Sequence, residues 1–230
     1  MSKENFKEML AKKGIDLTLK QIEQFEQYRK LLQEYNKKMN LTAIIETDEI
    51  YLKHFFDSLI PSFHQNIEKS LLDVGAGAGF PSLPLKIIYP NLQVTILEPI
   101  KKRVRFLNVV TKELGLDVKI INARAEDHIQ NTSIKYDFTT ARAVANMQIL
   151  LELCLPFTKV NGYFIAMKGS RYQEELNKAE NALKKLNASV ENVYIDNLDG
   201  AERASIFIKK NKKTASKYPR NYSQIKQKPL

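Results

Sequence analysis

This sequence is short of cysteine, of long apolar runs and, towards its end, of acids. A single cysteine, Cys154, excludes an internal disulfide and leaves no thiol pair for zinc or redox work. Its apolar neighbours in LELCLPF mark it as a buried structural thiol rather than a nucleophile, and no metal centre is expected. No stretch reaches the roughly 18 apolar residues of a membrane span. The charged start MSKENFKEML also lacks the apolar segment of a signal peptide, so a cytoplasmic protein with no membrane contact is expected. From Lys209 to Leu230 there is no Asp or Glu, but there are eight cations: Lys209, Lys210, Lys212, Lys213, Lys217, Arg220, Lys226 and Lys228. The whole chain carries +10, and most of that excess sits in this segment. With Tyr218 and Tyr222 interleaved, the run suits a polyanion, nucleic acid first, or else a solvated extension.

What is present describes one good core and a small appendage, as 230 residues with 43% hydrophobic content allow. Residues 1–65 hold no strand pattern. Ile22, Phe25, Leu32 and Tyr35 recur at helical spacing, and IYLKHFFDSLIPSF predicts a helix ending near Pro61. From Ser70 the pattern alternates: LLDV, a helix through SLPLKIIY, the strand VTILE, a helix through KKRVRFLNVVTKEL, then VKIIN and YDFTTA. Repeated βαβ units predict a parallel sheet. A helix through MQILLELCLPF, the strand GYFIAMK, a charged helix through EELNKAENALKKL, and the strands VENVYI and ASIFIKK bring the count to about seven strands. The division read here is an N-terminal helical cap (1–65), a Rossmann-like α/β domain (66–210) and a basic C-terminal tail (211–230). No heptads stand out, so a monomer is expected.

The glycines concentrate where chemistry is expected. LLDVGAGAGFP places Gly75, Gly77 and Gly79 directly after the first strand, at the turn that opens the ligand crevice of a doubly wound sheet. A nicotinamide or flavin fingerprint, G-x-G-x-x-G, needs glycine at position 80. That position is Phe80, and no Tyr-x-x-x-Lys is evident, which disfavours an oxidoreductase. G-x-G-x-G with Asp73 two residues ahead instead resembles the S-adenosyl-L-methionine loop of class I methyltransferases. Glu98, at the tip of VTILE and about 20 residues on, stands where a cofactor ribose needs a carboxylate. After the third strand, NARAED places Ala125, Glu126 and Asp127 where adenine lies in such enzymes, although the two acids equally suit a helix start.

Taken together these residues resemble one family, the bacterial 16S ribosomal RNA guanine-N7 methyltransferases also called glucose-inhibited division protein B. The resemblance runs over most of the chain: NKKMNLTAI, KHFFDSL, DVGAGAGFPSLPLKI, KKRVRFL, RAED, TARAVAN, LPFTKVNGYFIAMKG and KYPR. It implies a class I methyltransferase fold, S-adenosyl-L-methionine as cofactor, 16S ribosomal RNA or the small ribosomal subunit as partner, and cofactor contacts at Gly75, Phe80, Ala125, Glu126 and Arg142. The chain departs from the family after KYPR, where NYSQIKQKPL replaces the usual Gly- and Pro-containing stretch.

The chemistry of that product agrees with what is missing. Guanine N7 carries a free lone pair, so attack on a sulfonium methyl demands alignment rather than a base, and no base is conspicuous. Amine methylation commonly uses Asn/Asp-Pro-Pro-aromatic after strand four, where this chain has TARAVAN. Pyrimidine carbon-5 methylation needs an attacking cysteine, and Cys154 lies in an apolar helix. Three cations are the catalytic candidates: Arg142 at the tip of strand four, serving cofactor or RNA; Lys168 at the end of GYFIAMKG; and Arg203 before the last strand. His54 and Asp57 match the cap motif of the family, although a helical His beside two Phe residues is more often structural, and Asn40 suits a helix-ending turn. A non-catalytic RNA-binding or assembly protein on the same fold is the alternative.

Overall fold

The computed structural model describes residues 1–142 and 145–230; Ala143 and Val144 of TARAVAN lie outside the described residues. The cap begins with α1 (Lys3–Ala11) and α2 (Leu19–Met39). Thr18 opens α2 with a capping box closed by Gln21, which satisfies two of the backbone donors that a helix start leaves free. Asn40 ends α2 in a left-handed conformation, φ 49°, the turn role its sequence suggests. The next helical segment runs through α3 (Thr47–Glu49), a π-helical stretch (Ile50–Phe56) and α4 (Asp57–His64). It ends at His64, three residues beyond the expected stop, with Pro61 inside it.

The rest is the alternation the pattern predicts. β1 (Ser70–Val74), α5 (Ser82–Ile88), β2 (Gln93–Leu97), α6 (Lys101–Glu113) and β3 (Val118–Ile121) come first. α7 (Ala125–His128), β4 (Tyr136–Arg142), α8 (Met147–Cys154) and β5 (Thr158–Lys168) follow. α9 (Tyr172–Lys185), β6 (Ala188–Leu198), β7 (Ala201–Lys210) and α10 (Tyr222–Gln227) complete the chain. The seven strands form one sheet in the order β3-β2-β1-β4-β5-β7-β6. β1 to β5 are parallel, whereas β7 runs antiparallel to both β5 and β6. The order reverses between β1 and β4, so the crevice beyond their carboxyl ends is the ligand position of such sheets.

Two apolar layers cover the sheet. On one face Phe6, Phe25, Tyr28 and Phe55 of the cap join Leu71, Leu83, Ile96 and Phe106 in a single cluster. On the other face α8 and α9 pack through Leu150, Cys154, Ala179 and Leu183, and Cys154 is a buried free thiol, as its neighbours imply. Polar side chains of α2 tie the cap down. Gln21 donates to the Ile87 carbonyl (2.8 Å) and Gln24 to the Leu114 carbonyl (2.7 Å), occupying acceptors that the ends of α5 and α6 leave open.

The basic tail is docked rather than free. Ile225 is fully buried against α8, and Arg220 reaches the fully buried Glu152 of that helix through Nε (2.8 Å), Nη2 (2.7 Å) and its backbone N–H (2.9 Å). A lone carboxylate inside an apolar helix requires such a partner, and the tail supplies it.

Candidate functional site

The crevice forms where β1 stops and the chain turns through Gly75, Gly77 and Gly79, with φ of 76°, 61° and 101°, a region glycine enters without steric cost. The last two are glycine for different reasons. A Cβ at Gly77 would meet nothing within 4 Å, whereas one at Gly79 would lie 2.5 Å from Leu83 Cδ1 and 2.6 Å from the Tyr28 hydroxyl. Gly77 therefore keeps a space open, and Gly79 lets the cap close on the loop. Beneath them Asp73 is fully buried. Its Oδ2 accepts from the Ser82 N–H (3.2 Å) and its Oδ1 has no partner. Burial raises its carboxyl to about 7.

Glu98 lies one residue past β2 and is buried, not the exposed strand-tip carboxylate its position suggests. Its Oε2 accepts from the Gly77 N–H (3.0 Å) and its Oε1 from the Ile100 N–H (2.9 Å), so the carboxylate holds the loop in place. Each oxygen retains a second lone pair. A cavity of about 340 Å³ opens here, walled by Gly75, Gly77, Phe80, Glu98, Arg103 and Arg142 among others. The structure thus brings together five of the residues the sequence nominates for cofactor contact. Asp73 and Gly79 support the cavity from below. Ala125 and Glu126, both buried at the start of α7, do not line it.

A second cavity, about 640 Å³, adjoins the first and is walled by Asp57, Arg142, Lys168 and Arg203 among others. Arg142 and His54 line both. Arg142 Nη1 donates to Asp57 Oδ2 (2.9 Å), and Arg203 Nε donates to Asp57 Oδ1 (2.7 Å), so one carboxylate from the cap orients two guanidinium groups from two strands. Lys168 donates to the Ala145 carbonyl (2.8 Å) and to Glu175 (2.7 Å), which also accepts the Met147 N–H (2.8 Å). All three nominated cations therefore converge on one cavity, although each is engaged in an internal ion pair.

His54 completes the wall. Its ring stacks on Phe80 at 4.4 Å and 11°, and Phe80 stacks on Tyr28 at 5.4 Å and 17°. Arg142 Nη2 lies 3.2 Å from His54 Nδ1, and Thr42 Oγ1 lies 2.8 Å from Nε2. A guanidinium can only donate, so Nδ1 accepts and Nε2 carries the proton. Burial, with Arg142 beside it, lowers the imidazole to about 3, so the ring is neutral and structural. Asp57 as a two-arginine pivot, Thr42 and Arg103 escaped the sequence reading. The signal available was KHFFDSL, where His54 and Asp57 fall three apart on one helical face.

Known proteins resemble this chain in sequence and in fold. A family model described as rRNA small subunit methyltransferase G matches residues 21–204. The Ribosomal RNA small subunit methyltransferase G of Streptococcus gordonii is 46% identical over 241 residues, with all of both chains covered, and that of Staphylococcus epidermidis is 47% identical over 236 residues, covering 100% of this chain and 99% of its own. Among solved structures, M. jannaschii TYW2 in complex with AdoMet superposes with a TM-score of 0.56 at 15% identity, covering 73% of this chain and 79% of that one. A SAM-dependent methyltransferase from Aquifex aeolicus gives 0.53 at 17% identity, covering 76% and 97%. At those identities the solved structures establish the fold alone.

Proposed function

The chain belongs to the rRNA small subunit methyltransferase G family, and from that premise we propose that its paired cavities methylate N7 of a guanine in 16S ribosomal RNA, with S-adenosyl-L-methionine as donor. The residues present fit this cofactor. Gly77 leaves open space where any other residue would project a side chain, and Glu98 keeps free lone pairs towards the same space. When bound, the cofactor supplies an electrophilic methyl group on a sulfonium.

Within this reading Glu98 accepts the ribose hydroxyls, the N–H groups of the glycine loop and the Phe80 ring bound the cavity, and Ala125 and Glu126 serve the adenine end. Asp73 sets the loop's floor. Arg142 is held by Asp57 and His54 on the wall between the cavities, where its remaining donors can orient guanine O6 or a phosphate of the acceptor. Lys168 and Arg203 give the acceptor cavity a cationic floor. Guanine N7 needs no deprotonation, and the one histidine on the wall has both ring nitrogens engaged. The wall shared by two adjoining cavities carries this reading, because alignment is the main requirement of a methyl transfer.

Transfer of labelled methyl from S-adenosyl-L-methionine tests it. Label should enter small-subunit RNA and not large-subunit RNA, and Arg142→Lys, which keeps a charge for Asp57 but loses the forked donors, should slow turnover at least tenfold, about 1.4 kcal/mol of barrier. Label in both RNAs, or in neither, would overturn it.

A further inference from the structure

The starts of β4 and β5 and the end of β7 meet at the end of the sheet opposite the crevice. There they enclose a third cavity, about 440 Å³, that the methyl-transfer reading does not use. Four lysines wall it: Lys135, Lys159, Lys210 and Lys213, with the hydroxyl groups of Thr214 and Ser216 between them. No carboxylate lines it. Lys159 alone among the four has an acid beside it, Asp137 at 2.9 Å. Lys210 is buried, and its Nζ donates to the Leu155 carbonyl and the Thr214 hydroxyl.

These charges work against each other. Burial and the neighbouring Lys135 push Lys210 down to about 8, and burial together with Lys213 lowers Lys135. Like charges drawn together with so little compensation cost folding energy, and an anion in the cavity removes that cost. The tail builds part of this wall, since Lys213, Thr214 and Ser216 follow closely after β7.

We propose that this cavity docks a backbone phosphate of the small-subunit ribosomal RNA, as a second anchor remote from the methyl-transfer crevice. The partner's identity rests on the family reading above. β4 starts at this end with Tyr136 and ends in the crevice with Arg142, so the two sites lie about 20 Å apart by strand rise. One RNA can span both. Lysine tips give point charges without the rigid fork of arginine, which suits contacts that position a backbone without reading sequence. Lys135 and Lys210 sit within the wall while Lys159 and Lys213 are exposed at its rim, an arrangement that admits a chain passing over the cavity.

The test is RNA binding by the full-length protein and by the double variant Lys135→Gln/Lys213→Gln, using transcribed small-subunit ribosomal RNA across a chloride series. Lys210 is left alone because its buried hydrogen bonds hold the fold. Losing the one docked phosphate should lower the log-log salt slope of the double variant by about 0.7 to 0.9, while S-adenosyl-L-methionine affinity stays unchanged. Arginine at both positions should restore the slope. Unchanged slopes would overturn the proposal. So would a thermal shift of wild type, absent from the variant, in inorganic phosphate at matched ionic strength without any slope difference, because the site would then serve a free anion. Methyl transfer by the wild type in the same preparation separates this outcome from failure of the family reading.

Discussion

At the scale of single residues, the glycine loop and the groups beneath it make opposite demands. Gly77→Ala places a methyl group in open space at φ 61°, so it should cost about 1 to 2 kcal/mol of backbone strain but reduce cofactor affinity at least tenfold. Gly79→Ala meets Leu83 and Tyr28 instead and should lose more stability, seen as the larger fall in thermal midpoint. Equal effects of the two variants on both measurements would contradict the distinction. Asp73 and His54 also oppose each other. Asp73 rises from 3.8 to about 7 on folding, so its contribution is fully present below 3.8 and is lost as pH rises towards 7; His54 falls from 6.5 to about 3, so its contribution is present above 6.5 and is lost as pH falls towards 3. Between pH 4 and 6.5 the two slopes largely cancel. Asp73→Asn should therefore gain stability relative to wild type steadily from pH 4 to 7 in denaturant titrations; a pH-independent difference would show that Asp73 does not titrate there.

At the scale of elements, the docked tail changes what truncation does. Removing residues 212–230 takes Arg220 from Glu152 and Ile225 from the core, so a chain stopped after Asn211 should be strongly destabilised rather than merely shortened. Arg220→Ala alone should cost about 3 to 5 kcal/mol by leaving a buried carboxylate without its counter-charge, and Glu152→Gln in the same chain should recover part of it. A thermal midpoint unmoved by Arg220→Ala would mean the tail is loosely held. The strands and the loop were legible because their signals are local: apolar runs separated by helical periods, and three glycines bunched after the first run. Asp57 with Arg142 and Arg203 was not, since those contacts span 85 and 146 residues and only the fold brings them together. The tail was legible only in part, for another reason. Its composition reads as a polyanion-binding run or a solvated extension and is silent on docking, while the sign of its docking was Glu152, a single acid inside MQILLELCLPF. Pro61 misplaced a helix end by the same logic, because local propensity yields to the packing of Leu59 and Ile60.

At the scale of the molecule, the cap and the sheet share one apolar cluster, so we propose that residues 1–65 and 66–210 are a functional division and unfold together in one cooperative transition. Circular dichroism of the helices and fluorescence of the tyrosines should give coincident melting curves, whereas separated curves would make the cap an independent unit. The same sharing explains how cap residues reach the chemistry. Tyr28 and His54 both stack on Phe80, and Asp57, on the wall of the second cavity, sets Arg142 and Arg203, so the cap completes the site that the sheet begins. Among the described residues no helix is long and apolar enough to cross a membrane, and the lysine-walled cavity puts positive charge at the end of the sheet remote from the crevice. The most direct measurement is the identity of the modified base. Small subunits lacking the methyl group are incubated with the protein and S-adenosyl-L-methionine, and their RNA is treated with borohydride and aniline, which cut where a positively charged 7-methylguanosine has weakened the glycosidic bond. The account predicts one new cleavage, at a single guanine of the small-subunit RNA. A methylated product that resists cleavage, such as N2-methylguanosine or a ribose methyl, would contradict it.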